Sequence, residues 1–244
     1  RNFMPIKFCL ELSAPLACFT RPEMKVERVS YEVITPSAAR ACFGAILWKP
    51  RIRWHIRRIE VLEPIRWTNI RRNEIANVVA LGTVEEAMNS GMGMLAQYVD
   101  EERQQRAALL LRDVAYRIHA EMEFLPHRHA YRRLGDARDI ALTSQDDETP
   151  QKYAEMFIRR ARKGQCVNQP YLGTREFAAA FRLVEDPDDE RTRRPPIDET
   201  RELGYMLYDL DYSDPFDPQP MFFKARLVRG VVEVPAWDAP EVKR

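Results

Sequence analysis

Apolar and polar positions alternate most regularly in DVAYRIHAEMEF, residues 113–124. Val114, Tyr116, Ile118, Ala120, Met122 and Phe124 fall on one side, a period of two that predicts a strand with one core face. Phe8, Leu10 and Leu12 alternate with Cys9 and Glu11 and predict an earlier strand. β-branched and aromatic spacing predicts another over residues 54–62, and a fourth spans 177–184. Two helices interleave with these strands. Thr35-Pro36 is an N-cap with proline at the first helical position, opening a helix through SAARACFGAILW that stops before Lys49-Pro50. Thr149-Pro150 repeats that start, and Tyr153, Met156 and Phe157 then share an apolar stripe at i, i+3, i+4. Gly164 suits the C′ position, and the basic residues before it complement the negative end of the helix.

The order strand, helix, strand, strand, helix, strand predicts an α+β fold, a ferredoxin-like βαββαβ domain over residues 1–184. Residues 76–102 read as an insertion in it, with a capping box, Thr83-x-x-Glu86, and a flexible NSGMG. Residues 126–147 form a polar loop. The acidic block EDPDDE and Pro195-Pro196 make a linker over 185–200. GYMLYDLDY and a MFFKARLV-RG-VVEV hairpin then give a small C-terminal β region, 201–244.

Composition narrows the function. The chain of 244 residues is long enough for one large or two modest domains, and its net charge is +1. Charge is nevertheless segregated: residues 51–72 hold seven arginines against Glu60 and Glu63. None of Cys9, Cys18, Cys42 and Cys166 sits in a C-x-x-C pair, so zinc-ribbon and thioredoxin motifs are absent. No apolar run approaches the roughly 20 residues that span a bilayer, and RNFMPIK has no signal-peptide core. A cytoplasmic protein is expected. There is no P-loop, G-x-G-x-x-G, H-E-x-x-H or G-x-S-x-G, so neither a nucleotide cofactor nor a serine nucleophile has a foothold.

His127-x-His129 beside Asp136 and Asp139 is the one pattern with a metal reading, but Arg128, Arg132 and Arg133 alongside repel a cation. No metal and no cofactor are expected. His119 and His55 lie on polar faces of strands, where a surface histidine is commoner than a general base. Trp54 and Trp67 flank the arginine-rich stretch and leave two readings open. They are either stacking platforms beside phosphate-binding arginines, or core residues under a solvated face.

ACFTRPEMKVERVSYEVITPSAAR (17–40), WKP (48–50), RRARKGQC and QPYLGTREF (159–177) together resemble the CRISPR-associated Cas-five family, and within it the type I-C (d-type) branch. NIRRNE (69–74) and YVDEERQQRAALLLRDVAY (98–116) are similar to the same group, and the likeness covers most of the chain. It implies a RAMP-type, RRM-like domain with a C-terminal β region. It further implies binding of CRISPR repeat RNA, metal-independent cleavage of precursor crRNA, and retention of the 5′ handle within the Cascade complex. Partners would be crRNA and the backbone and large subunits, with no membrane. The reaction implied is attack of a ribose 2′-OH on the adjacent phosphate.

The family's usual tyrosine before W-K-P is Leu47 here, and its K-H pair reads Lys152-Tyr153. The catalytic candidates are therefore Lys152 on the phosphorane, Tyr153 as proton donor, and Tyr31, with His119 or His127 as stand-ins. The basic residues expected to hold RNA are Arg21, Lys25, Arg28, Arg40, Lys49, Arg71, Arg72, Arg159, Arg160, Arg162, Lys163 and Arg175. The alternative implied by the two departures is a catalytically weak subunit that only caps the 5′ handle.

Overall fold

Twelve consecutive residues of the first alternating segment extend into strand β1 (Ile6–Ala17), followed by the short β2 (Arg28–Val29). Helix α1 (Pro36–Ile46) leads to β3 (Ile52–Val61), β4 (Arg66–Ile75), α2 (Leu81–Ser90) and the long β5 (Arg103–Phe124). Helix α3 (Pro150–Arg162) precedes β6 (Ala180–Leu183), β7 (Arg201–Asp211), β8 (Gln219–Leu227), β9 (Val231–Glu233) and β10 (Val242–Lys243). This computed structural model describes residues 5–24, 26–93, 95–125, 148–189, 194–214 and 216–244. The loop 126–147, with His127 and His129, and the candidate Lys25 lie outside the described residues.

The protein is mixed α/β with mainly antiparallel sheets and few helices. One sheet runs β6-β1-β5-β3-β9, with β2 and β4 also pairing on β5, and a second runs β10-β8-β7. Alternation puts Leu10, Leu12, Ile118, Ala120 and Met122 under α1 and α3. Phe157 of α3 meets Phe8 and Trp54 at 4.8 Å and stacks on Phe43 of α1 at 5.7 Å. Trp54 is thus a core residue, its Nε1 donating to the Leu47 carbonyl at 3.1 Å, whereas Trp67 on β4 stays partly exposed. No helix among the described residues is long and apolar enough to cross a membrane.

Both proline-marked helices begin where the sequence puts them: Thr35 accepts from Ala38 N and Thr149 from Lys152 N. Other boundaries differ. Helix α1 stops at Ile46, two residues short of the predicted end. Helix α2 starts at Leu81, with Ala80 at its N-cap and no side-chain cap, so Thr83 lies inside the first turn and the predicted capping box does not form. Strand β4 carries no alternating apolar signal, because its more buried face holds Thr68, Ile70, Arg72 and Glu74 and none of its residues is fully buried. Ladder pairing makes it a strand, from Arg66 opposite Arg112 to Ile75 opposite Arg103. Strand β5 consequently begins ten residues earlier than its periodicity shows, with a break at Asp113 (φ 52°) where β4 replaces β3 as its partner.

The predicted C-terminal hairpin forms around Arg229-Gly230, both at positive φ, with Val228 and Val231 exchanging backbone bonds of 2.8 and 3.1 Å. Its two strands then part: β8 stays in the second sheet, while β9 pairs with β3.

Candidate functional site

The first turn of α3 and the segment after α1 meet at one end of the large sheet. Lys152 is exposed at the third helical position, its backbone N–H donating to Thr149 Oγ1 at 3.2 Å. Tyr153 turns inward and is buried, and its hydroxyl donates to Glu148 Oε1. Arg51 Nη1 holds the other oxygen of Glu148 at 3.1 Å, its Nε donates to the Leu125 carbonyl, and its guanidinium lies 4.3 Å from the Phe124 ring centroid. Burial and the Glu148 carboxylate both push the Tyr153 hydroxyl well above the usual phenol range. Burial opposes ionisation of Glu148, but Tyr153, Arg51 and the nearby charge of Lys49 outweigh it and hold the carboxyl below its usual range. The W-K-P-R turn and the start of α3 are therefore tied into one unit, with Lys152 exposed on it.

Tyr153 had been expected to donate a proton, but its hydroxyl proton is already committed to Glu148. Leu47 is fully buried in the core. Tyr31 stands elsewhere. Ser30 bonds to the Leu109 carbonyl while Arg51 pairs with Leu125, so Tyr31 and Lys152 lie toward opposite ends of β5. The Tyr31 hydroxyl accepts from Leu207 N at 3.3 Å, Arg21 covers its ring at 4.5 Å, and burial raises its pKa. The structure does not bring Tyr31 together with Lys152 and Tyr153: strand length separates them. His119 and His55 point away from the core and contact Glu60 (3.1 Å) and Glu123 (2.8 Å).

The basic candidates divide by partner. Arg160 donates to the carbonyl of Ile46, the last residue of α1, at 3.0 Å, while Val167 and Asn168 N–H groups take the Ala45 carbonyl. These bonds satisfy carbonyls that a helix end leaves open. Arg162 forks onto Glu185 at 2.8 and 3.1 Å, and Arg40 onto Asp209 at 2.6 and 2.8 Å. Arg21 reaches Glu32, Arg28 lies between Glu74 and Glu176, and Arg72 pairs with Glu176. Arg71, Arg159, Lys163 and Arg175 are exposed and have no ion pair among the described residues; Lys49 is half-buried. The QPYLGTREF segment packs against the end of β1: Cys18 N donates to Leu172 O, and a Cβ on Gly173 (φ +90°) would lie 1.8 Å from the Cys18 carbonyl. Only glycine fits there.

Sequence reasoning missed a polar network on the other face of the sheet. Arg117 is buried and bonds Glu60 and Glu11, each at 2.8 Å; Arg182 joins Glu11, and His119 joins Glu60. Burial works against ionisation of Glu60, yet His119 and Arg117 bring its carboxyl down to about 2. Alternation alone marks these residues as polar-face positions and says nothing of their mutual pairing.

Fold and site together define an α/β protein with a lysine presented on an anchored helix start and surface cations that have no ion pair among the described residues. The chain belongs to the CRISPR-associated protein family Cas_Cas5, whose Cas5d model matches residues 8–235. It is 46% identical over 239 residues to the CRISPR pre-crRNA endoribonuclease Cas5d of Mannheimia succiniciproducens, covering 96% of this chain and 97% of the relative. It is 40% identical over 245 residues to the CRISPR pre-crRNA endoribonuclease Cas5d of Thermus thermophilus, covering 93% and 91%. A crystal structure of a CRISPR-associated protein shares the fold over the whole of both chains, with TM-score 0.65 and 19% identity.

Proposed function

We propose that this chain processes precursor CRISPR RNA as a subunit of a type I-C Cascade complex. The observation that carries this is the 46% identity over 96% of the chain with a pre-crRNA endoribonuclease. Assembly with RNA and with backbone and large subunits follows from the same reading, and four free cysteines agree with a reducing cytoplasm. The order β1-α1-β3-β5-α3-β6 and the strand order β6-β1-β5-β3 support a ferredoxin-like core, here residues 1–184, with 201–244 as its C-terminal β region.

In this reading a ribose 2′-oxygen forms a bond to the adjacent phosphorus and the bond to the 5′-oxygen breaks. The products are a 2′,3′-cyclic phosphate and a 5′-hydroxyl. Lys152 supplies positive charge to the phosphorane, and it needs no metal to do so. Tyr153, Glu148 and Arg51 position it. Arg71, Arg159, Lys163 and Arg175, which have no ion pair among the described residues, meet phosphates, and Lys49, whose charge acts on Glu148, adds to them.

A second reading, a subunit that caps the 5′ handle and cleaves slowly, is favoured by one observation. Leu47 is buried and Tyr153 is engaged, so neither moves a proton. A missing general acid or base costs about 10²–10⁴-fold. Incubation with repeat RNA in EDTA separates the two. Processing predicts a single cut ending in a 2′,3′-cyclic phosphate, slowed at least about 10²-fold in Lys152→Ala. No product, or a cut indifferent to Lys152, overturns the catalytic assignment and leaves the cap.

A further inference from the structure

Helix α1, the first half of β3 and the last residues of β7 enclose a groove of about 620 Å³, within the range of small-ligand sites. Its floor is apolar: Ile52, Trp54 and Ile56. The back wall is fixed, because Tyr208 packs edge-on against Trp237 at 5.9 Å and donates its hydroxyl to the Pro235 carbonyl. Two large rings stand at the rim half in solvent, Trp48 at 53% exposure and Tyr212 at 50%. Polar groups line the same space. His55 and Ser213 border it, and Asp211, whose carboxyl is lowered by bonds from Ser213, adds a fixed acceptor. Strand β9 pairs only with Arg58–Glu60, so β3 between residues 53 and 56 has no strand on its outer edge among the described residues.

We propose that this groove takes one unstacked base of the repeat RNA beside the scissile phosphate, with Trp48 and Tyr212 giving it ring faces. The proposal rests on the RNA-processing reading. An aromatic face stacks any base, while side-chain and strand-edge polar groups satisfy the base edge. Position selects RNA over a peptide strand added to β3. Trp48 adjoins Lys49, whose charge acts on Glu148, four residues before Lys152. The rim of the groove therefore lies on the same side of the fold as the exposed lysine, and a base that enters it leaves its stack as single-strand recognition requires.

The test uses the full chain and repeat RNAs carrying 2-aminopurine at successive positions around the cut. Ring stacking quenches the probe. Quenching is expected at one or two adjacent positions, abolished in Trp48→Ala and reduced in Tyr212→Ala, with binding weakened about ten-fold. Gly44→Leu guards against misfolding. Gly44 lines the groove, a Cβ added there would meet nothing within 4 Å, and leucine favours the helix, so this variant fills the groove, with thermal unfolding as the check on its fold. It should lose the quenching as well, while Lys152→Ala keeps it. Tight RNA binding with no quenching at any position, or quenching untouched by all three groove variants, overturns the proposal and leaves the RNA reading standing. Retained RNA binding with lost subunit assembly in Gly44→Leu assigns the groove to a peptide strand and also overturns it. Failure of the natural chain to bind repeat RNA at all removes both readings.

Discussion

The hydroxyl of Tyr153 donates to Glu148, and Arg51 grips the same carboxylate from its other oxygen at 3.1 Å. The pair joins the start of α3 to the turn after α1. Tyr153→Phe should therefore cost about 1–2 kcal/mol in a urea titration and leave the cleavage rate within a few-fold. A rate loss of about 10²-fold or more with unchanged stability would make Tyr153 the proton donor after all.

Position 47 gives the complementary case. Leu47 is fully buried, so a tyrosine there enters the core rather than the site. Leu47→Tyr is expected to lower stability by about 1–3 kcal/mol through overpacking and to leave the RNA cut no faster. A gain in cleavage of ten-fold or more would show that the side chain escapes to the surface.

Gly173 holds the QPYLGTREF loop against β1, where a Cβ would sit 1.8 Å from a backbone oxygen. Gly173→Ala combines that clash with a positive φ and should lose about 3 kcal/mol or more. Thermal unfolding beside Gly44→Ala, where the added methyl meets nothing, isolates the effect.

The Glu60 carboxyl falls from 4.5 to about 2 in the folded chain. A depressed carboxylate stabilises the fold fully above the unfolded value and loses that contribution as pH falls from about 4.5 toward 2. Arg117→Met removes the buried cation, which should cost about 3–5 kcal/mol at neutral pH and flatten the acid limb, because the Glu60 carboxyl is then held down less. Unfolding midpoints measured from pH 7 down to 3 check both, and an acid limb of unchanged steepness would refute the pairing account.

Free and paired arginines should differ in salt dependence. Each phosphate neutralised on a single strand adds roughly 0.7 to the negative log–log slope. Neutralising Arg71, Arg159, Lys163 and Arg175 together should flatten the slope for repeat RNA by up to about 3. Arg162→Gln, which mainly releases Glu185, should change it by well under 1. Equal effects from both sets would mean that the ion pairs open on binding.

Local chemistry was legible in the chain itself. A hydroxyl followed by proline marked both helix starts, and a period of two marked the core face of β5, because caps and pleats depend on neighbouring residues. The two segments of the candidate site, WKP and Lys152-Tyr153, could also be named from sequence. Their joining through Arg51 and Glu148 could not. The arginines of RRARK look alike in sequence, yet Arg160 closes the end of α1, Arg162 binds Glu185, and Arg159 has no ion pair among the described residues. β4 has no apolar face and became a strand through its pairing with β5, and β8 and β9 were parted by the sheets that received them. A side chain's partner is set by residues distant in sequence, so only the tertiary structure decided which charges are spent within the fold and which still face solvent.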